Sequence, residues 1–122
     1  MLLTVFPTVS SAVDIQAGKN KATKCFGCHG SDGNSVNPIW PSLAGQQAAY
    51  LLNQLRAFRE GTRKDPVMNL MAAELSNDDT NNIAAFFSSL SPKSAGGDPK
   101  LAAKGKSRFN MCMGCHGASA KG

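Results

Sequence analysis

The sequence predicts an all-α fold, and three observations carry that prediction. Apolar residues recur at helical spacing in two stretches, Leu51, Leu55 and Phe58, then Ile83, Phe86, Phe87 and Leu90, with polar residues off the stripe. Good helix-capping residues stand just ahead of the helical stretches, and no segment shows the apolar and polar alternation of a half-buried strand. Both histidines of the chain close a C-x-x-C-H frame, Cys25 to His29 and Cys112 to His116.

With 122 residues there is room for one small domain, or one plus part of another. Hydrophobic residues at 42% and charged residues at 17% mark a chain that folds rather than a disordered one. A core this thin usually needs a disulfide, a metal or a prosthetic group, which directs attention to the four cysteines. The formal charge of +5 suggests nucleic acid or another acidic partner, but the basic residues run from Lys19 to Lys121 without clustering and only eight side chains are aromatic. That pattern argues against nucleic acid. No stretch reaches the roughly 20 apolar residues of a membrane span.

Taken in order, residues 1–13 open with Met1 to Ala12 (MLLTVFPTVSSA), which reads either as the tail of a secretory signal or as an arm that packs on a neighbour. Asp14 is placed to cap a helix from Ile15. The Leu51 stripe ends at Gly61, and Ser76 with Asp79 forms a capping-box pattern ahead of the Ile83 face. Ser91 to Gly97 (SPKSAGG) reads as a linker, and Asp98-Pro99 opens one more helix with an N-cap and a first-turn proline.

The cysteine frames carry the chemistry. Cys25-Phe26-Gly27-Cys28-His29-Gly30 and Cys112-Met113-Gly114-Cys115-His116-Gly117 are offset by 87 residues, and the same offset superposes Gly18-Lys19 on Gly105-Lys106. This is an internal repeat. At C-x-x-C-H spacing two thiols add across the two vinyl groups of one haem, and the next residue brings its imidazole under the iron. A redox dithiol would need a βαβ surrounding, a zinc site does not need histidine twice at one offset, and structural disulfides have no reason to repeat the frame. The frames therefore predict two covalently attached haem c groups, on Cys25, Cys28 and His29 and on Cys112, Cys115 and His116.

The run from Cys25 to Ser35 (CFGCHGSDGNS), the Pro41 to Gln46 segment, Tyr50 to Leu55, the Met68 segment and Ile83 to Leu90 resemble class I c-type cytochromes, and specifically the dihaem cytochrome c4 group. The resemblance implies a cytochrome c domain over residues 14–90, with Gly18 of the first helix against an aromatic, Phe86 or Phe87, of the last. It also implies that His29 is the proximal iron ligand and donates its outer ring proton to the Pro41 carbonyl; a proline that merely turns the chain beside Trp40 fits the same residues. Trp40 counts among the expected cofactor contacts. The distal ligand is a methionine, Met68 or Met71, three residues apart; the family's spacing to a leucine followed by a helix cap, here Leu75-Ser76, selects Met68. Tyr50, Gln54 and Arg63 stand where relatives hold haem propionates, and each reads equally well as an ordinary surface side chain. Four propionates would take the charge from +5 to about +1.

Residues 98–122 repeat only the opening of the first unit, the haem-attachment helix of a second, incomplete cytochrome c unit. Six residues follow His116, and Met111 and Met113 flank the frame as packing rather than as ligands. Three accounts stay open for haem two: a longer protein, completion by a neighbouring subunit or the chain's own N-terminal arm, or an open, reactive iron. The expected function is one-electron transfer by a periplasmic or extracellular dihaem cytochrome working with redox protein partners, not an enzyme. Its alternatives are the protomer of a head-to-tail cytochrome filament and a peroxidase-like enzyme.

Overall fold

The helices begin where the capping residues stand. The computed structural model describes residues 12–94 and 96–120, so the expected N-terminal arm lies, up to residue 11, outside the described residues. Helix α1 (Ile15–Lys21) starts at Asp14, whose carboxylate accepts the Ala17 N–H at 2.9 Å. A 3₁₀ turn (Ala22–Cys25) leads without a break into α2 (Phe26–His29). Then follow α3 (Ala48–Arg59), α4 (Pro66–Ala73) and α5 (Asn77–Ser89). The last elements are α6 (Pro99–Arg108), a 3₁₀ turn (Phe109–Met111) and α7 (Met113–His116). No strand occurs among the described residues, so the all-α expectation holds.

Helix α5 is the axis of the first unit, packed against α1 on one side and α3 on another, with α4 leaning on α3. Its Ile83, Ala84, Phe86 and Phe87 are buried with Leu51 of α3 and Ala22. Phe26, Phe86 and Phe87 form a ring cluster with centroids 5.1 to 6.5 Å apart, Phe26 standing edge-on to Phe87 at 88°. Such tilted and edge-on contacts suit the ring quadrupoles and anchor the helix that bears the first cysteine frame. Gly18 lets α1 approach α5, and the atoms nearest its missing Cβ are backbone atoms of Asn82 and Ile83, one turn before Phe86 and Phe87. The side-chain pattern names which helices meet; it does not say which turn of backbone takes the contact.

The capping box at the start of α5 is complete, with Ser76 Oγ accepting the Asp79 N–H at 3.0 Å and Asp79 Oδ2 accepting the Ser76 N–H at 2.9 Å. Ser76→Ala should cost about 1 kcal/mol, or roughly 4–8 °C of Tm in the holoprotein for a unit of this size, as differential scanning calorimetry would read. The Ser76 N–H bond, helped by the Lys21 ammonium at 3.1 Å, holds the Asp79 carboxyl below the usual carboxylate range. Because the folded-state value is depressed, the unfolded chain takes up this proton first as the pH drops. The stabilisation is thus present above the ordinary carboxylate range and lost as the pH falls through the folded value. Asp79→Asn should flatten the acid limb of a plot of Tm against pH relative to the parent protein, and an unchanged limb would contradict the assignment.

Residues 91–93, read from composition as linker, are held against the first unit. Pro92 covers Gly45, Lys93 Nζ lies 2.6 Å from Asp32 Oδ2, and the Lys93 N–H donates to Asn34 Oδ1 at 2.7 Å. Beyond them α6, its 3₁₀ turn and α7 make their substantial contacts only with one another, and nearly all of their residues are exposed.

Candidate haem-binding site

The first cysteine frame is built by a backbone that turns tightly and then stops. The Gly30 N–H donates to the Phe26 carbonyl at 3.0 Å, and Gly30 adopts φ 83°, a conformation that ends α2 directly after His29. A side chain at Gly30 would meet the Asn34 backbone, so the 30–34 turn can close only on glycine. His29 is buried, 7% exposed, with Nδ1 2.8 Å from the Pro41 carbonyl. A carbonyl oxygen only accepts, so Nδ1 carries the proton and donates it, leaving the lone pair on Nε2. The loop that presents Pro41 is itself tied down: the Ser35 N–H donates to Ser42 Oγ at 3.0 Å, and Ser35 Oγ lies 3.2 Å from the Cys28 carbonyl.

Beside the frame opens a small, mostly apolar cleft. Cys25, Leu55, Met68, Met71, Ala72 and Leu75 line it, with Lys21, Lys24 and Glu74 at its edge. Lys24 and Glu74 pair across that edge at 3.2 Å. Burial pushes the Cys25 thiol above its ordinary value, and the neighbouring Cys28 adds to the push. Neither cysteine is in a disulfide.

Of the residues singled out in the sequence, the structure brings Cys25 and Met68 to one cleft and joins His29 to Pro41. Met71 lines the same cleft as Met68, so both candidate thioethers face it. Gln54 and Arg63 meet each other: Arg63 donates to Gln54 Oε1 at 2.6 Å, and its guanidinium sits 4.5 Å above the Phe58 ring. Trp40 and Tyr50 stay partly open, 39% and 48% exposed. The donor set fits a haem c. Two free thiols, an imidazole with one nitrogen already engaged, and soft thioethers in the apolar cleft that Cys25 lines are the groups that thioether attachment and His/Met ligation require, although His29 and Cys28 are not among that cleft's lining.

The second frame has the same local build. Asp98 caps α6 as Asp14 caps α1, His116 ends α7 as His29 ends α2, and the Gly117 N–H donates to the Met113 carbonyl at 2.9 Å with φ 72°. Its surroundings differ, because Cys112, Cys115 and His116 are all exposed. Met111 and Met113 are 90% and 37% exposed. Two residues that sequence reasoning passed over prove structural. Asn34, 8% exposed, donates to the Asp32 and Ser91 carbonyls at 3.0 and 3.2 Å. Asn69 is bonded on three sides at the start of α4. A single asparagine among turn residues carries no signal that separates such a clamp from an ordinary surface amide.

A helical unit of this build, with an attachment frame at the end of its first helix, a histidine held by a loop carbonyl and a methionine-lined cleft, is that of a c-type cytochrome. Residues 15–91 match the family model described as Cytochrome c, and the chain belongs to that family, which implies covalently attached haem c. Among its relatives, cytochrome c4 of Pseudomonas aeruginosa is 38% identical over 100% of this chain and 66% of its own length. The chain thus spans about two thirds of the length of that curated relative. Cytochrome c-554(548) of Halomonas halodenitrificans is 44% identical over 64% of this chain and 98% of that protein. The crystal structure of reduced recombinant cytochrome c4 from Pseudomonas stutzeri superposes with a TM-score of 0.78 at 38% identity, covering 91% of this chain and 68% of that one.

Proposed function

We propose that the protein is a dihaem c-type cytochrome that transfers single electrons between redox partners. The observation that carries the proposal is the structural repeat: an Asp-capped helix, a 3₁₀ turn and a Cys-x-x-Cys-His turn closed by a positive-φ glycine occur twice. When bound, each haem c supplies an iron that changes oxidation state by one electron. The chain's residues do the rest. Cys25 and Cys28, and Cys112 and Cys115, would hold the macrocycles as thioethers. His29 would offer Nε2 to the metal while Pro41 fixes its ring and tautomer, so that little would rearrange when the charge changes. Met68 would supply the second ligand, a neutral sulfur donor that favours the reduced metal and a relatively high potential. Leu55, Ala72 and Leu75 exclude water from the cleft. Gln54 and Arg63, already paired, are the candidates for a propionate, with Tyr50 and Trp40 at the exposed margin.

Charge supports an acidic-faced partner. Residues 1–98 hold eight basic and eight acidic side chains, so the formal +5 lies in residues 99–122; the two propionates of a haem on Cys112 and Cys115 would bring that segment to about +3, and Lys100, Lys104, Lys106 and Arg108 are exposed there. Such a surface speeds encounter with a negatively charged protein and loses that advantage at high salt. Attachment of haem c after export is consistent with a periplasmic or extracellular location, and no described helix is long and apolar enough to cross a membrane. Of the relatives named above, none is described as a filament or a peroxidase, and the carrier reading stands ahead of both. A reduced spectrum with and without carbon monoxide, run beside a sizing column, tests it. Two low-spin haems in a small, discrete species are expected; a high-spin haem turning over peroxide, or polymers, would overturn the reading.

A further inference from the structure

The segment that presents Met68 is locked to the rest of the unit by the side chain next to it. Asn69 Nδ2 lies 2.6 Å from the Phe58 carbonyl in the last turn of α3 and 2.8 Å from the Arg63 carbonyl in the following loop. Its Oδ1 accepts the Asp65 N–H at 2.9 Å. Two carbonyls on one side and an N–H on the other leave a single orientation of the amide, with the oxygen and both amide hydrogens used. The Asp65 carboxylate, held in that frame, accepts the N–H groups of Val67 and Met68 at 3.0 and 2.8 Å, and the Asn69 N–H returns to the Asp65 carbonyl at 2.9 Å. Asn69 therefore ties three pieces of backbone together, the end of α3, the 61–65 loop and the first turn of α4. That first turn carries Met68 into the cleft.

We infer that Asn69 is a positioning residue for the distal ligand, setting how firmly the Met68 thioether is held over haem one. The inference rests on the reading of Met68 as that ligand. The physical reason is differential. A thioether is a weak donor, and an outside imidazole displaces it only if the segment bearing it moves away. Asn69 opposes that movement through one bond to the Phe58 carbonyl of α3 and one to the Arg63 carbonyl of the following loop, both lost if α4 swings away. No other residue type offers the same set: aspartate keeps the acceptor for the Asp65 N–H but turns both donors into repulsion against carbonyls, and alanine loses all three bonds.

The test is titration of the ferric holoprotein with imidazole, read as loss of the thioether-to-iron charge-transfer absorption. Asn69→Asp and Asn69→Ala should bind imidazole at least tenfold more tightly than the parent, since both lose the bonds to the Phe58 and Arg63 carbonyls. Ser76→Ala, which weakens α5 without touching the α3–α4 lock, serves as the control for general loss of stability and should leave the imidazole affinity within twofold. Affinities of the Asn69 variants within twofold of the parent, or an equal rise in Ser76→Ala, would overturn the inference. Met68→Ala separates the two levels: it should abolish the absorption before any imidazole is added. If Met68→Ala kept the absorption, the ligand assignment itself would fall and the inference with it; if only the Asn69 variants failed to respond, the ligand assignment would survive.

Discussion

Gly18→Ala is expected to lower the Tm of the holoprotein by about 10–20 °C. An added Cβ would come within 2.5 Å of the Asn82 carbonyl carbon and closer still to its oxygen, with the Ile83 nitrogen at 3.1 Å. These are backbone atoms of a helix and cannot swing aside. Two effects compete. Alanine is the better helix former by about 1 kcal/mol, whereas overpacking costs about 1–3 kcal/mol and more where the obstacle is rigid. The clash wins, because relieving it means moving α1 off α5, and with it the Asp14 N–H from Asn82 Oδ1, now 2.9 Å apart. Against so rigid an obstacle the clash costs about 3.5 kcal/mol, and the net loss of about 2.5 kcal/mol, at roughly 4–8 °C per kcal/mol for a domain of this size, gives the stated range. Calorimetry of the variant decides it, and a Tm equal to or above that of the parent would mean that the two helices are not in this contact.

The second large effect is an asymmetry between the two cysteine pairs. Replacing Cys25 and Cys28 together by alanine should abolish cooperative folding of the first unit. Its fully buried apolar cluster is small, Ala22, Leu51, Ile83, Ala84, Phe86 and Phe87, while Cys25, Leu55 and Leu75 are only half-buried around it. Leu55 and Leu75 line the cleft with Met68 and Met71. A haem in that cleft supplies the apolar surface that a core of this size lacks. Replacing Cys112 and Cys115 should do the opposite and leave the first unit's Tm within about 2 °C, since α6 and α7 have no substantial contact with it. Near-UV circular dichroism on thermal melts of both variants reads the difference. Equal losses would show that the two units are coupled.

Much of this was legible in the sequence because the signals are local. Asp14, Ser76 with Asp79, and Asp98-Pro99 each cap the helix expected of them, since the bonds concerned reach only two or three residues along the chain. The Ile83, Phe86 and Phe87 face is buried as its spacing requires. The C-x-x-C-H turns close the same way in a packed and in an exposed setting, so their shape belongs to the residues themselves. What spacing could not reveal were contacts between distant segments. The 91–93 stretch carries turn-forming residues, yet Lys93 and Asn34, 59 positions apart, bind it to the first unit. Asn69 likewise gains its role only when α3 and the 61–65 loop arrive beside it. The Gly18 contact with backbone is of this kind as well, because a glycine in the sequence marks a close approach without naming what approaches.

A haem at each paired-cysteine frame underlies every role assigned above, and the intact mass of the purified, coloured protein from a host competent in haem c maturation measures that directly. The expected mass exceeds the polypeptide by two haems, falling by one haem when Cys112 and Cys115 are replaced. A chain carrying one haem or none from the same host would contradict the account.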